Sequence, residues 1–340
     1  MRKAVLRELK HLPNNIFLLS YNRYLYVLQN KIVEQNRSEF FKMAILKSFV
    51  WESNVYFDVM EKRNYLLIGE QKDIKIYNLQ DFLAQQPVNP QVAETLNMPL
   101  VAEYKSKKRI TSMKVAPHIE TKDKIIEGFM LTDKVGEVRF VNIDNLFTKE
   151  KKSPLDADDL GTTLYGHLQQ VSALQFSPDG KLVASVDTLQ RVRVSDFPNV
   201  FHVRQFHLNH KFEITDFALT NETLLTYSAL DSHLVHSDIT SDRIYYEQKG
   251  AQNSQLIESL GLNKSNQLVV LEQNTETKQY SVKKIENDQG QNRTQEVVNG
   301  LTIGEGDKIT IAQNGFVIRV NINPENGIIN GETIDALELQ

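Results

Sequence analysis

Histidine is the residue type in this sequence whose spacing most suggests chemistry. His207 and His210 form one pair with a spacing of three, and His233 and His236 form another. A zinc site needs at least three convergent protein ligands, whereas residues three apart on a strand point to opposite faces. We therefore predict that all four are structural or surface histidines and that the chain has no metal site.

The patterns that bind phosphate or activate a nucleophile are incomplete. Gly300, Gly304 and Gly306 lack the strand, loop and helix order that points backbone N–H groups at a phosphate. The acidic run that begins at Asp156 lacks the glycine and the glutamate of a calcium loop. No Gly-x-Ser-x-Gly sequence is present, and the chain has no cysteine. These observations predict a protein that is not an enzyme and that binds no cofactor.

Charge and hydropathy argue against two further classes of function. The 340 residues include 39 Lys and Arg against 43 Asp and Glu, so the chain lacks the bulk positive charge of a stand-alone nucleic-acid binder. No apolar stretch reaches the roughly 18 residues of a spanning helix, and residues 1–12 lack the apolar run of a secretory signal. We expect an intracellular protein with no membrane segment.

The elements that must position any binding residues are β-strands, because short runs of alternating apolar and polar residues dominate the sequence. Strands recur in groups, and the motif that ends at His167 returns 43 residues later at His210. Such a period is typical of a β-propeller, in which each blade is one small antiparallel sheet. The segments that follow this period are 5–50, 53–100, 108–148, 164–204, 208–250, 254–286 and 299–322.

The fold class that we predict is therefore all-β, a seven-bladed β-propeller of the WD-repeat type with degenerate repeats. Residues 1–340 are predicted to form a single β-propeller domain whose ends share the closing blade, because a strand borrowed from the far end removes an exposed edge. Residues 82–99 and 148–161 lie outside the strand patterns and are predicted to be loops between blades.

The repeated histidines fit the hydrogen-bond network of WD-repeat blades. In such blades a histidine ahead of the innermost strand bonds to a Ser or Thr and to an Asp in a tight turn. The predicted network residues are His167 and Ser185 in the first repeat, and His210, Ser228 and Asp231 in the second. Leu189 occupies the position at which we expect the turn Asp of the first repeat, so the repeats are degenerate.

Several short motifs carry a more specific resemblance. They are Tyr-Gly-His at 165–167, Ser-Pro-Asp-Gly-Lys at 177–181, Arg-Val-Arg-Val-Ser at 191–195, Phe-Pro at 197–198 and Asp-Lys-Val-Gly-Glu-Val at 133–138. Together they resemble the WD-repeat non-catalytic subunits of the tRNA (guanine-N7)-methyltransferase. In that family a strand ending in Ile-Arg-Val-Ser is followed by a short apolar link and a Phe-x-Leu-x-His stretch, which residues 206–210 match.

The resemblance implies a scaffold rather than a catalyst. Such a subunit forms a heterodimer with the catalytic methyltransferase and stabilises its active form, which methylates a guanosine in the tRNA variable loop. The family's basic residue at the subunit contact matches Arg193, and Arg191 matches a neighbouring basic position. The resemblance also implies a nuclear protein that meets tRNA through the complex. A cluster at Lys105, Lys107, Lys108 and Arg109 could touch tRNA phosphate directly.

Two alternatives remain open at this point. The chain could be a generic WD-repeat scaffold of another intracellular complex, because Gly-His and Ser-Pro-Asp-Gly elements occur in WD-repeat proteins of many kinds. It could also be an enzymatic propeller with a metal in its central channel, which would need convergent acidic or Asn ligands.

Overall fold

A computed structural model describes residues 6–30, 41–85, 93–120, 125–148, 160–241, 243–248, 255–262, 265–288, 291–302, 307–311, 316–322 and 329–335. Nearly every element among these residues is a strand. None of the helices in these ranges is long and apolar enough to cross a membrane.

The chain divides into two compact units. The first comprises Met1–Val50, Pro87–Glu94 and Asn209–Gln340, and the second comprises Trp51–Gln86 and Thr95–Leu208.

Strands of the first unit come from both ends of the chain. They are β1 (Leu6–Leu12), β2 (Ile16–Tyr21), β3 (Tyr24–Asn30) and β4 (Phe41–Val50), followed after the second unit by β19 (Asp216–Leu219), β20 (Thr223–Ser228), β21 (His233–Asp238), β22 (Ile244–Gln248), β23 (Gln255–Leu262), β24 (Leu268–Asn274), β25 (Gln279–Asp288), β26 (Gln291–Thr302), β27 (Asp307–Ile311), β28 (Phe316–Ile322) and β29 (Ile329–Asp335). A 3₁₀ turn, Pro13–Asn15, separates the first two strands.

Strands of the second unit are continuous in sequence apart from short helices. They are β5 (Val55–Met60), β6 (Tyr65–Glu70), β7 (Asp73–Asn78), β8 (Ala102–Lys105), β9 (Ile110–Val115), β10 (Ile119–Glu120), β11 (Ile125–Ile126), β12 (Gly128–Asp133), β13 (Glu137–Asn142), β14 (Gly161–Gly166), β15 (Val171–Phe176), β16 (Leu182–Asp187), β17 (Val192–Asp196) and β18 (Val203–His207). The helices are the 3₁₀ turn Glu61–Arg63, α1 (Leu79–Ala84) and α2 (Asn145–Thr148).

Antiparallel pairing organises these strands into small sheets. In the described part of the second unit the four-stranded sheets run β5-β6-β7-β8, β14-β13-β12-β9 and β15-β16-β17-β18, beside a two-stranded β10-β11 ribbon. In the described part of the first unit they run β19-β20-β21-β22 and β23-β24-β25-β26, beside a seven-stranded sheet in the order β1-β2-β3-β4-β29-β28-β27.

The prediction of an all-β propeller is confirmed, but the prediction of seven blades is wrong. The described strands form six blades. Segments 5–50 and 299–322, which the repeat period counts as two blades, lie in one sheet because β29 pairs with β4 through Gly331↔Met43 and Thr333↔Phe41. A sequence period counts groups of strands, but it carries no information on whether two groups share hydrogen bonds.

Each unit has its own apolar cores. In the second unit, Tyr104 and Phe129 meet edge to face with ring centroids 6.0 Å apart, among fully buried Leu67, Ile76 and Leu131. A neighbouring core gathers around Phe197, whose ring lies 5.0 Å from that of Phe176. In the first unit, one core surrounds Phe17, Tyr26 and Leu28, and another surrounds Leu225, Leu268 and Val270. The central strand β16 is buried along its whole length, and its two polar residues, Ser185 and Asp187, are 0% exposed.

A buried or half-buried aspartate joins adjacent sheets in each unit. Asp58 on β5 accepts hydrogen bonds from its neighbour Val59 and from the Val115 N–H of β9, both 2.7 Å long. Asp216 on β19 likewise accepts from Phe217 at 2.9 Å and from the Leu260 N–H of β23 at 2.7 Å. A hydrogen bond to a carboxylate contributes about 1.5–3 kcal/mol, so these bridges stabilise neighbouring sheets against separation.

The segments predicted as loops between blades are only partly described. Residues 79–84 form α1, which buries Phe82 and is capped by the Asn78 side chain accepting from Asp81 N at 3.0 Å. Residues 86–92 and 149–159 lie outside the described residues, and β14 begins at Gly161. The single-domain assignment and both loop assignments stay predictions.

Candidate partner-binding site

The motifs that resemble the methyltransferase subunit meet on one sheet of the second unit and the strand beside it. Arg193 on β17 lies opposite Ser185 of β16 on one side and opposite Phe206 of β18 on the other. Tyr165 belongs to β14, the last strand of the preceding sheet, and His167 follows directly after that strand. Residues that are separate in sequence therefore share one site at β14–β18.

His167 is the centre of a buried hydrogen-bond network. Its Nε2 lies 2.8 Å from Ser185 Oγ, and its Nδ1 lies 3.2 Å from Asp187 Oδ2. Tyr165 donates its hydroxyl proton to Ser185 Oγ at 3.1 Å. Because a carboxylate only accepts, Nδ1 carries the proton and Nε2 accepts from Ser185. Burial lowers the pKa of His167 although Asp187 opposes the shift, so the ring is neutral at pH 7.

Asp187 is the turn aspartate of this network, and the sequence analysis missed it. It is 0% exposed, and its Oδ1 accepts from the backbone N–H groups of Leu189 at 2.9 Å and Arg191 at 3.1 Å. Asp133 makes the same turn one sheet earlier, accepting from three backbone N–H groups at 2.9–3.0 Å. Both aspartates precede a β-strand valine by five residues, at Val138 and Val192. This shared spacing is the signal that would have identified Asp187.

Arg193 is engaged by its own chain. Its Nε donates to Ser195 Oγ at 2.9 Å, its Nη2 donates to Val200 O at 2.7 Å, and its Cζ lies 4.0 Å from the centroid of the Tyr165 ring. Burial lowers the pKa of the guanidinium. Arg193 therefore ties β14, β17 and residue 200 together, and only its remaining donors could reach a partner.

Arg191 is the freer of the two arginines. It lies directly before β17, and its Nε lies 3.9 Å from Asp187 Oδ2, beyond hydrogen-bond length. Its side chain is 24% exposed, so its guanidinium can meet a carboxylate from another chain.

The edge strand β18 and the residues that flank it, Phe201 and Leu208, present apolar side chains to solvent, which the strand pattern of the sequence does not predict. Phe201 is 80% exposed, Leu208 61%, Phe206 48% and Val203 41%. Arg204 pairs with Asp196 at 2.6 Å, and His202 also contacts Asp196. Clustered exposed aromatic residues are typical of protein–protein interfaces. The available signal was the apolar composition of residues 200–208 outside any buried strand pattern.

The second predicted network lies in the first unit and has a different arrangement. His210 Nε2 lies 2.8 Å from Thr226 Oγ1, and the His210 ring lies 4.6 Å from the His233 ring. Ser228 is buried at the end of β20 and Asp231 follows in the turn, but the described bond of His210 joins it to neither. Thr226 occupies the position that Ser185 occupies around His167.

The basic cluster begins at the last residue of β8 and continues into the turn that follows it. Lys105 on that strand lies 3.8 Å from Asp73 through its Nζ, whereas Lys107, Lys108 and Arg109 are exposed on the turn to β9. Contact of these four residues with tRNA stays a prediction. Within the described ranges, no group of three His, Asp or Glu side chains could hold a metal ion.

Comparison with known proteins gives one distant curated relative and many structural neighbours. The non-catalytic subunit wdr4 of the tRNA (guanine-N(7)-)-methyltransferase from Dictyostelium discoideum is 28% identical over an alignment of 116 residues, and the match covers 32% of this chain. The chain spans about a quarter of that relative's length, 24%. No family model matches the chain.

Similar solved structures include two that are named as β-propeller domains. A chain of the mitotic checkpoint complex matches with a TM-score of 0.61 and 11% sequence identity. The match covers 96% of this chain and 88% of the other chain. The Cps50 (Swd1) β-propeller domain of Myceliophteria thermophila has a TM-score of 0.59 at 12% identity, covering 98% and 97%. The WD40 propeller of Doa1 has a TM-score of 0.58 at 9% identity, covering 99% and 95%. These similarities show that the fold is a β-propeller of the WD40 kind.

Proposed function

We propose that this chain is the non-catalytic WD-repeat subunit of a tRNA (guanine-N7)-methyltransferase. It binds the catalytic subunit, stabilises its active form and is required for N7-methylguanosine formation in the tRNA variable loop. The observation that carries the proposal is the 28% identity to a Dictyostelium subunit of that enzyme over 116 residues. The motifs at 165–167, 177–181 and 191–195, which resemble the same family, also support it.

The partner contacts the β17–β18 side of the site. Phe201 and Phe206 supply exposed aromatic side chains, a type that is enriched at protein–protein interfaces. Arg191 supplies a guanidinium for a partner carboxylate, and removing one member of a desolvated pair of this kind costs about 2–5 kcal/mol. Arg193 supports this surface through contacts within the chain, because it holds Tyr165 and residue 200 in place.

The mechanism is conformational rather than chemical. A scaffold that binds the active form of a flexible partner more tightly than the inactive form increases the population of the active form. The hydrogen bonds among His167, Ser185 and Asp187 make the docking surface rigid, so little entropy is lost on binding. The catalytic subunit alone supplies the cofactor site, the methyl transfer and the contact with the target guanosine.

The test is co-expression with a candidate catalytic methyltransferase subunit, followed by a tRNA methylation assay in which each component is omitted in turn. We expect N7-methylguanosine only with both chains present, and no methylation by this chain alone. Full activity of the partner without this chain, or methylation by this chain unaided, would contradict the proposal. Imaging of the tagged chain in its native cell tests the accompanying expectation of a nuclear location.

A second candidate is a WD-repeat scaffold of another complex. It is favoured by the structural neighbours, which cover 96–99% of the chain but come from proteins with different names. Affinity purification of the full chain separates the two candidates, because recovery of a different stoichiometric partner and no methyltransferase supports the second.

A further inference from the structure

Five turns of the second unit form one continuous surface, which we call the turn row. It comprises residues 71–72, 106–110, 133–137, 166–170 and 187–190. Backbone hydrogen bonds join each turn to the next in four steps: Ser106 N to Lys72 O at 2.7 Å, Lys134 N to Arg109 O at 3.0 Å, His167 N to Gly136 O at 2.8 Å, and Thr188 N to Gln170 O at 3.0 Å.

Close contact at the middle of the turn row is enforced by glycine. Gly136 has φ +105°, and a Cβ at this position would lie 2.5 Å from both His167 O and Gln169 O. The turns that contain Asp133 and His167 therefore approach as closely as backbones can. The two halves of the turn row are held against each other as one surface.

The two halves differ in chemistry. One half exposes five cations, Lys72, Lys107, Lys108, Arg109 and Lys134, and the carboxylate of Glu137, whose side chain is 44% exposed. The other half exposes aliphatic side chains, with Leu168 77% exposed, Val135 52% and Leu189 44%.

The carboxylates in and beside the turn row have partners within the chain. Asp133 and Asp187 are buried and accept backbone N–H groups, as described above. Glu70 and Asp73 flank residues 71–72: Glu70 accepts from Ser53 N at 2.8 Å, and Asp73 lies 3.8 Å from Lys105. Glu137 ends the turn 133–137 and lies 3.2 Å from Arg139. Among the described residues the five cations of the basic half outnumber the carboxylates beside them, so the local field is positive.

We infer that the turn row binds an acidic and apolar segment of a partner protein, with carboxylates against the lysines and aliphatic or aromatic side chains on Leu168, Val135 and Leu189. Charge complementarity identifies the acidic part, and the exposed aliphatic area identifies the apolar part. Single-stranded nucleic acid would instead need aromatic rings for base stacking, and the exposed apolar side chains of the turn row are aliphatic. This inference does not rest on the proposed function.

The experiment is selection of a random phage-displayed library, with peptides of about twelve residues, against the immobilised full chain. We expect enriched sequences that combine Asp or Glu with Leu, Ile or Phe. Lys108→Glu and Leu168→Gln should each weaken binding of the selected peptide by about tenfold or more, measured by fluorescence anisotropy. Lys181→Glu is the matched control, because Lys181 is 80% exposed but lies in the turn at the other end of β16.

Three results would overturn the inference. The first is enrichment of no sequence or of basic sequences. The second is selected peptides that bind both row variants as tightly as the Lys181→Glu control. The third is binding of unmodified tRNA that is lost in Lys108→Glu but unchanged in Leu168→Gln, which would identify a phosphate-binding surface instead. All three substitutions are at exposed positions, and thermal unfolding of each variant verifies that it is folded.

Discussion

The contacts of Arg193 indicate a different role from the one that the motif resemblance assigns to it. The motif resemblance assigns it to the subunit contact, whereas the structure gives it two hydrogen bonds and a ring contact within the chain. A lysine would keep the charge but lose the planar stacking and the forked geometry. Two conservative substitutions can therefore test whether Arg193 stabilises the surface and whether Arg191 contacts the partner.

We predict that Arg193→Lys lowers the free energy of unfolding by about 1–3 kcal/mol, because Val200 O and the Tyr165 ring lose their partner. Arg191→Gln should change stability by less than about 0.5 kcal/mol but weaken binding of the catalytic subunit. Urea denaturation measures the first effect and titration calorimetry the second. Unchanged stability in Arg193→Lys, or unchanged affinity in Arg191→Gln, would contradict the respective assignment.

His167 makes a pH-dependent contribution. Burial lowers its pKa in the folded chain below the value of about 6.5 expected in the unfolded chain. Between those two values the unfolded chain binds more protons, so the stability contributed by this group is complete above pH 6.5 and decreases as the pH falls.

We predict that the stability difference between the wild type and His167→Asn is largest near pH 7.5 and shrinks as the pH approaches 5. Urea denaturation across this range checks the trend. A difference that grows on acidification would mean that the ring is protonated in the folded chain and bound to Asp187 as an ion pair.

At the scale of elements, the exposed apolar edge strand β18 is the feature that is least expected of a protein that has no binding partner. Edge strands are usually protected by charge, and here Arg204 and Asp196 form such a pair beside exposed Phe206 and Val203. An apolar edge that persists in a natural chain is expected to be covered by a partner.

We predict that the double substitution Phe201→Ser and Phe206→Ser weakens binding of the catalytic subunit by about 100-fold while leaving the unfolding midpoint nearly unchanged. Leu230→Ser is the matched control, because Leu230 is 74% exposed but lies in the first unit. Isothermal titration of each purified variant gives the affinities. Equal weakening by the control would point to a general loss of solubility or folding rather than to a docking edge.

The bridging aspartates are the second feature at this scale. Burial raises the pKa of Asp216 to about 6 although the N–H groups of Leu260 and Phe217 pull it down. Since the carboxyl in the unfolded chain titrates near 3.9, the folded chain binds more protons between about pH 4 and 6. The stability contributed by this group therefore decreases as the pH rises through that interval, opposite to His167.

We predict that the stability advantage of the wild type over Asp216→Asn increases as the pH falls from 7 to 4. The asparagine does not titrate, so the difference isolates the contribution of Asp216 from that of the other carboxylates. Thermal unfolding over this range measures it. A pH-independent difference would mean that the carboxyl keeps its ordinary pKa in the fold.

At the scale of the whole molecule, the strand pattern was readable from sequence because buried strands alternate or are wholly apolar. The run Val55–Met60 matches the strand pattern of the sequence, and β5 has these bounds. Outer strands such as β8, β18 and β22 do not show that pattern, since their exposed sides carry polar or irregular residues. The number of blades was overestimated because strand pairing between distant segments leaves no periodic trace.

The candidate site was readable only in part, for a related reason. His167 and Ser185 stand out by their repeat spacing, and the structure brings them together. Arg193 is held by the Tyr165 ring from a neighbouring sheet and by the carbonyl of Val200 in a loop. Neither contact can be recognised from a sequence pattern. The contact of His210 with Thr226 differs from the predicted network because a hydroxyl two residues earlier reaches the ring.

The hydrogen bonds between β4 and β29 have a consequence for biosynthesis. Met43 is synthesised long before its neighbour Gly331. Until Gly331 is added the edge of β4 lacks its native neighbour, so the nascent chain carries an open hydrogen-bonding edge while the residues between the two strands are made. Chaperone capture of stalled intermediates, and slow maturation set by this late long-range closure, are the expected outcome.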